Sequence, residues 1–114
     1  MALQVQMAEH VVRIMVFSLN GVLDAFEAPT LRTRCEYYLD QGMIHFVFDL
    51  SAVTMLDSAG LAVLVSVLKR ARLKHGDVRL IWPKSAEAGH ILKLTRFDQV
   101  FTSIEASEII PRGF

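Results

Sequence analysis

The sequence predicts an α/β fold in which a small, mostly parallel sheet is flanked by helices. Residues 44–50 form an apolar run rich in β-branched and aromatic side chains, which is typical of a strand buried on both faces. Segments with helical spacing of apolar residues alternate with strand-like segments, as in βαβ units. The chain has 114 residues and no linker or repeat, so residues 1–114 are predicted to form one domain.

The N-terminal part of the sequence predicts two strands. Residues 3–7 alternate apolar and polar side chains, and residues 11–17 are apolar with one charge. We expect these strands to pair through a turn near residues 9–10, which would place one antiparallel strand in the sheet. The dipeptide Asn20-Gly21 indicates a further turn.

Three helices and two short strands are predicted in the rest of the chain. The helices span about residues 29–41, 58–76 and 85–95, and the strands span residues 78–82 and 100–104. Each helix begins at a residue suited to a helix start, namely Pro29, Ser58 and Ser85. The residues predicted to face inward are Leu31, Cys35, Tyr38, Leu39, Leu61, Leu64, Val65, Leu68, Ala71, Ala88, Ile91 and Leu92.

The composition excludes several classes of function. The formal net charge is zero, so nothing favours binding to nucleic acid or to an anionic membrane surface. No apolar stretch approaches the ~20 residues that cross a bilayer, which argues against membrane insertion, and the start MALQVQMAEH lacks the features of a signal peptide. The single cysteine, Cys35, is predicted to be a small core residue and fits a reducing compartment, so the cytoplasm is the expected location.

Neither a metal site nor an active site is predicted. The four histidines show no ligand spacing, and the chain lacks a nucleotide-binding glycine loop. A serine hydrolase would place Ser58 in a Gly-x-Ser-x-Gly elbow with a histidine in reach, but only the later glycine, Gly60, is present. We therefore predict that the chain is not an enzyme and binds no cofactor, and an enzyme that uses Ser58 as its nucleophile is the weakest alternative.

The most distinctive stretch is DSAG at residues 57–60, which lies between an apolar strand and the helix that follows. A helix start carries unpaired N–H groups, so a phosphate on Ser58 is expected to find hydrogen-bond donors there. Phosphorylation would add about −1.5 to −2 charges beside Asp57, and near Asp24 and Asp49 if the fold brings them close.

Local chemistry leaves two interpretations of this stretch open. Serine is a common N-cap worth ~1 kcal/mol, and on local chemistry alone this interpretation of Ser58 ranks ahead of a phosphoacceptor. Asp57 is likewise either a cap or a group that positions a partner's metal-bound nucleotide. If Ser58 is a phosphoacceptor, a partner that approaches the small Ala59 and Gly60 and packs against Leu61 would meet a new charge. That partner would be released while the fold survives.

Three motifs occur in order along the chain. The first is GVLD at residues 21–24, the second is DLS at residues 49–51 followed by DSAGL at residues 57–61, and the third is LKLTRFDQVF at residues 92–101. Together, over about residues 11–107, they resemble the STAS domain, and most closely the bacterial anti-sigma-factor antagonists.

The resemblance implies a small mixed sheet flanked by helices and a regulatory function. Ser58 would be phosphorylated by an anti-sigma factor that is a serine kinase with a histidine-kinase-like ATPase fold. The unphosphorylated chain would bind that kinase and so free a sigma factor, and a PP2C-type phosphatase would restore the serine. ATP and magnesium would belong to the kinase. The partner-binding residues implied are Asp24, Asp57, Ser58, Ala59, Gly60 and Leu61.

The sequence departs from the family pattern at three positions. Ala59 stands where serine or threonine is frequent, which leaves Ser58 as the sole acceptor, and Ala62 and Arg96 each replace a frequent glycine. The alternative function is a STAS scaffold subunit of another complex, such as a lipid-transport ABC complex or a stress-signalling assembly, without sigma regulation. Such relatives often carry threonine or a non-acceptor at the position of Ser58. The oligomeric state stays open, with a homodimer as one outcome.

Overall fold

Strands and helices alternate along most of the chain. The structure is a computed structural model that describes residues 2–9 and 11–105. In chain order the elements are β1 (Met15–Leu23), α1 (Ala28–Asp40), β2 (His45–Leu56), α2 (Ser58–Leu73), β3 (Asp77–Ile81), α3 (Ala86–Leu94), α4 (Phe97–Val100) and β4 (Thr102–Ile104). This order confirms the α/β class that the sequence predicts.

The strands form one parallel sheet in the order β1-β2-β3-β4. Parallel neighbours must be joined by crossovers, and α1 and α2 supply the first two of them. Phe17 of β1 lies beside Phe48 of β2 in the register, and their rings stack with centroids 5.6 Å apart. The carboxyl ends of β1 and β2 therefore lie at the same edge of the sheet.

The centre of the core is β2, as its apolar sequence predicts. Phe46, Val47 and Phe48 are fully buried, so both faces of this strand are covered in its first half. The strand continues beyond the predicted end at Leu50 and reaches Leu56. Among the described strands, its second half pairs with β1 alone.

The predicted helices are confirmed, with ends that shift by a few residues. Helix α1 buries Leu31 and Cys35, and α2 buries Leu61, Leu64 and Leu68. Helix α2 ends at Leu73, ahead of the predicted end at Gly76. The sequence did not predict the short helix α4, so β4 begins at Thr102, two residues later than expected.

The predicted N-terminal strand pair is wrong within the described residues. Residues 2–9 have no secondary structure and are exposed, and the first strand begins at Met15. The sheet consequently contains no antiparallel strand among residues 2–9 and 11–105. An alternating pattern shows only that a strand would be amphipathic, whereas a strand also needs a partner for its backbone groups.

The predicted turn at Asn20-Gly21 is also wrong. Both residues belong to β1, where the pairing with β2 shifts register between Ser18 and Asn20 and again between Gly21 and Val22. Gly21 has a φ of +100°, a conformation that favours glycine. The turn-like dipeptide therefore marks an irregularity inside a strand.

The single cysteine lies in the core, as predicted. Cys35 is fully buried on α1. Burial raises the pKa of its thiol to about 12, and the nearby Glu36 carboxylate adds to that shift. The thiolate that reactive cysteines require is thus disfavoured at neutral pH.

Candidate functional site

The site that the sequence predicts lies at the edge where β1 and β2 both end. The backbone N–H of Asp57, just after β2, donates to the carbonyl of Leu23, the last residue of β1, at 3.2 Å. The loop that leads to α1 and the start of α2 are thereby held side by side.

Asp57 is the N-cap of α2 and also joins the two loops. Its backbone is extended, and its Oδ1 accepts the N–H groups of Ala59 at 2.9 Å and Gly60 at 3.0 Å. Its Oδ2 accepts the N–H of Ala25 at 2.9 Å. The Gly60 N–H makes the largest contribution to a lowered pKa of this carboxyl, and the Ala25 and Ala59 N–H groups add to it against the opposing effect of desolvation.

Ser58 is the first residue of α2, so it is not the cap. Its side chain is exposed, and within the described part of the chain no hydrogen bond holds its hydroxyl. Asp57 performs the capping that local chemistry had favoured for Ser58. Two of the N–H groups expected to serve a phosphate, those of Ala59 and Gly60, are already bound to the Asp57 carboxylate.

Asp24 shapes the loop opposite Ser58. Its Oδ1 accepts the N–H groups of Phe26 at 3.1 Å and Glu27 at 3.0 Å, and its carbonyl accepts the N–H of Ala28 at 2.8 Å. Since the adjacent Ala25 is bound to Asp57, the fold brings Asp24 to the same edge as the DSAG stretch.

Asp49 lies elsewhere. It sits in the first half of β2, and its Oδ1 accepts the N–H of Ser51 at 3.0 Å. At about 3.3 Å per residue, the strand carries Asp49 roughly 20 Å from the end of β2. The expectation that its carboxylate would lie near a phosphate on Ser58 is therefore wrong.

Gly60 and Leu61 face the interior. Gly60 is buried, and a Cβ there would lie 2.7 Å from both the Cγ and the carbonyl oxygen of Leu23. Leu61 is only 7% exposed. The small size of Gly60 thus serves the packing of α2 against β1. Whether either residue also contacts a partner stays a prediction.

Three exposed apolar residues surround this edge, and the sequence did not single them out. Val22 is 48%, Phe26 85% and Met55 45% exposed, and Val22 lies beside Met55 in the register. We call these three residues the edge patch. The signal available in the sequence was Phe26, a large aromatic residue in the segment that precedes the predicted helix start at Pro29.

The described residues offer no metal centre and no membrane-spanning helix. Nowhere in residues 2–9 and 11–105 do three or more histidine, cysteine, aspartate or glutamate side chains group to hold a metal ion. Over the same ranges, no helix combines the length and apolar character needed to cross a bilayer. The chemistry at the edge is therefore that of an exposed hydroxyl, two backbone-bound carboxylates and the edge patch.

Solved structures of several bacterial proteins share this fold. A putative anti-sigma factor antagonist from Thermotoga maritima is 24% identical with a TM-score of 0.77, and the match covers 85% of this chain and 84% of that one. The Bacillus cell fate determinant SpoIIAA in its phosphorylated form is 17% identical with a TM-score of 0.69, and the match covers 92% and 95%. A sulfate transporter family protein from Wolinella succinogenes is 15% identical with a TM-score of 0.60, and the match covers 86% and 84%.

At these identities the structural likeness concerns the fold and leaves the function open, since the matched proteins include antagonists and a transporter-family protein. The family itself follows from the sequence. The model of the STAS domain matches residues 5–108, which is nearly the whole chain, and this chain therefore belongs to the STAS domain family.

Proposed function

We propose that this chain is an anti-sigma-factor antagonist controlled by phosphorylation of Ser58. The unphosphorylated form binds an anti-sigma serine kinase and so frees a sigma factor, and phosphorylation ends that binding. One observation carries the proposal: Ser58 is exposed at the start of α2, while the neighbouring Asp57 does the capping. A hydroxyl without a structural task can be modified without loss of the fold.

The surroundings of Ser58 would leave much of the charge of a phosphate without a compensating group in this chain. The phosphate would stand beside the Asp57 carboxylate, whose lowered pKa keeps it charged at neutral pH. Two amides that could have neutralised the phosphate are already bound to Asp57. About −1.5 to −2 added charges would thus face the partner, and a closely packed partner would bind with lower affinity.

The edge patch supplies the apolar part of the proposed kinase-binding surface. Val22, Phe26 and Met55 lie around the edge that presents Ser58, and exposed aromatic and methionine side chains are enriched in the centres of interfaces. Asp24 and Ala59 are half-buried beside them. In this arrangement the apolar residues provide affinity and Ser58 provides control.

The proposal assigns no catalysis to this chain. The kinase would bring ATP and magnesium, and a PP2C-type phosphatase would return Ser58 to its unmodified form. Both oxygens of Asp57 accept backbone N–H groups, so we assign this carboxylate to the cap rather than to a partner's metal ion.

Because the proposed kinase and phosphatase act in the cytoplasm, we propose the cytoplasm as the location of this chain. A SpoIIAA protein with this fold has a solved structure in the phosphorylated form, which supports the proposal that Ser58 is phosphorylated.

Intact-mass spectrometry tests the modification. Each purified histidine-kinase-like ATPase from the source organism is incubated with ATP, magnesium and either wild type, Ser58→Ala or Ser103→Ala. Ser103 is an exposed serine on β4 and serves as the matched control. We expect one added phosphate on wild type and on Ser103→Ala, and none on Ser58→Ala. An unchanged wild-type mass with every active kinase would refute the proposal.

A binding titration tests the switch. Ser58→Ala should bind the kinase as tightly as wild type does, whereas Ser58→Asp should lose most of the affinity. Phe26→Ala should weaken binding by tenfold or more, because truncation of an interface hot spot costs about 2 kcal/mol or more and about 1.4 kcal/mol corresponds to tenfold. Equal binding by all variants, or co-purification with an ABC ATPase in place of a kinase, would favour the scaffold alternative.

A further inference from the structure

The outer edge of β1 borders an open groove. In the sheet order, β1 is the first strand, and within residues 2–9 and 11–105 no other strand pairs with its outer side. A groove of about 590 Å³ follows β1 from Phe17 to Leu23 and is bordered on its other side by Leu31 and Arg34 of α1. An edge with unpaired N–H and C=O groups is a template for another strand.

Several apolar side chains of β1 that pack against the core are still partly exposed to solvent. Met15, Phe17 and Leu19 pack against the core cluster but remain only partly buried. Phe46 and Phe48 of β2, which lie beside Met15 and Phe17 in the register, are fully buried. The outer edge of the sheet thus leaves apolar surface that one additional strand would cover.

The segment at residues 3–7 has the pattern of such a strand. Leu3, Val5 and Met7 alternate with polar residues and are 91%, 69% and 91% exposed. The radius of gyration is 16.5 Å, against about 13 Å for a compact chain of this length. The segment thus stands away from the body with three apolar side chains in solvent.

The segment cannot fill the groove of its own chain through a tight hairpin. A turn centred on residues 9–10 would pair Leu3 with Met15 or, at most, with Phe17. The groove begins at Phe17 and continues to Leu23. Most of its length therefore stays out of reach of a segment that folds back directly.

We propose that the groove receives the segment of a second copy of this chain, in a reciprocal strand exchange. Two β1 strands, each extended toward its N-terminus, run antiparallel with the two-fold axis near Val12. In this register Met7 of one copy lies beside Phe17 of the other and Val5 beside Leu19. Leu3 lies beside Gly21, where nothing occupies the space within 4 Å of a Cβ position. The apolar residues of the segment then share a face with those of β1.

This homodimer and the proposed switch are tested separately. The exchange uses the outer edge of β1, which reaches the edge patch at Val22, whereas the switch depends on Ser58 at the start of α2. A failure of one proposal leaves the other standing, because oligomeric state and kinase binding are measured separately.

Light scattering coupled to size-exclusion chromatography tests the dimer. We expect wild type to be a dimer at micromolar concentration and Val5→Lys to be a monomer, because the substitution would place a charge against Leu19. Gln4→Lys, on the opposite face of the segment, is the matched control and should stay dimeric. A wild type that is monomeric up to high concentration, or a Val5→Lys variant that is as dimeric as wild type, would overturn the proposal.

Disulfide cross-linking tests the register. Gln4 and Asn20 are both exposed and lie opposite each other in the proposed pairing. A tagged Gln4→Cys variant is mixed with an untagged Asn20→Cys variant and oxidised, with Cys35 left in place because it is buried. We expect a mixed covalent dimer as the main product. If oxidation yields only dimers that are cross-linked through the same position in both chains, or yields no cross-linked dimer, the exchange register is wrong.

Discussion

The carboxylate of Asp57 binds the N–H of Ala25 across the edge of the sheet, at 2.9 Å and 32 positions apart in sequence. The same carboxylate caps α2 through Ala59 and Gly60. One side chain therefore fixes both the start of the helix that presents Ser58 and the loop that carries Asp24 and Phe26. The shape of the candidate binding surface depends on this aspartate.

Replacement of Asp57 should destabilise the domain in proportion to the hydrogen bonds that are lost. Asp57→Asn keeps the size and one acceptor oxygen, whereas Asp57→Ala removes every acceptor. We expect the order of stability to be wild type, then Asn, then Ala, as measured by thermal unfolding at pH 7. A melting temperature that is the same in all three proteins would show that neither the cap nor the link to Ala25 contributes.

The advantage of wild type over Asp57→Asn should vanish in acid. Backbone N–H groups lower the pKa of Asp57 below its ordinary value of 3.8. A lowered folded-state pKa means that the stabilisation is present above the unfolded pKa and is lost as the pH falls through the folded pKa. Urea unfolding at several pH values from about 6 to about 2 should show the gap close at the acidic end. A gap that is constant over this range would contradict the assignment of the effect to ionised Asp57.

Local signals were enough to predict the elements with strong periodicity. The apolar run at residues 44–50 identified β2, and Ser85 identified the start of α3, where its hydroxyl accepts the Ala88 N–H at 3.3 Å. The start of α2 was also placed correctly, because the small residues and the apolar spacing after Asp57 are local properties.

Long-range contacts decided what local signals could not. The alternating residues 3–7 resemble a strand, but alternation does not provide a partner. Asp57 and Ser58 were both suited to cap α2, and the choice depends on Ala25, which holds Asp57 in place from another part of the chain. The tight contact between Gly60 and Leu23 is likewise invisible in the sequence.

Gly60→Ala should destabilise the domain although alanine favours helices. The new Cβ would lie 2.7 Å from the carbonyl oxygen of Leu23, and backbone cannot move as a flexible side chain can. Overpacking of this kind costs about 1–3 kcal/mol, and a contact with backbone favours the upper part of that range, above the ~1 kcal/mol gained in helix propensity. Gly89→Ala in α3 is the comparison, since its Cβ would meet the Trp82 side chain at 3.2 Å. Chemical denaturation should show a larger loss at Gly60, and equal losses would refute the explanation.

Arg96→Gly should stabilise the domain. Arg96 is exposed and has a φ of 60°. The left-handed conformation costs a residue with a Cβ roughly 1–2 kcal/mol, and the entropy of glycine offsets about 0.5–1 kcal/mol of the relief. We therefore expect a net gain of up to about 1.5 kcal/mol in urea unfolding. Arg96→Ala, which keeps the Cβ, is the control and should show no such gain, so a similar gain in both variants would point to the lost charge.

Ser58→Ala should leave stability nearly unchanged. An N-cap serine loses ~1 kcal/mol on replacement by alanine, but here Asp57 is the cap and Ser58 is the exposed first residue of α2. Exposed substitutions without a structural role usually stay within about 0.5 kcal/mol. Ser85→Ala is the matched control, because Ser85 does cap its helix and also donates to the Thr54 carbonyl at 2.9 Å. Urea unfolding should separate the two variants by more than about 0.5 kcal/mol. Equal losses would mean that Ser58 has a structural task and would remove the observation that carries the proposed switch.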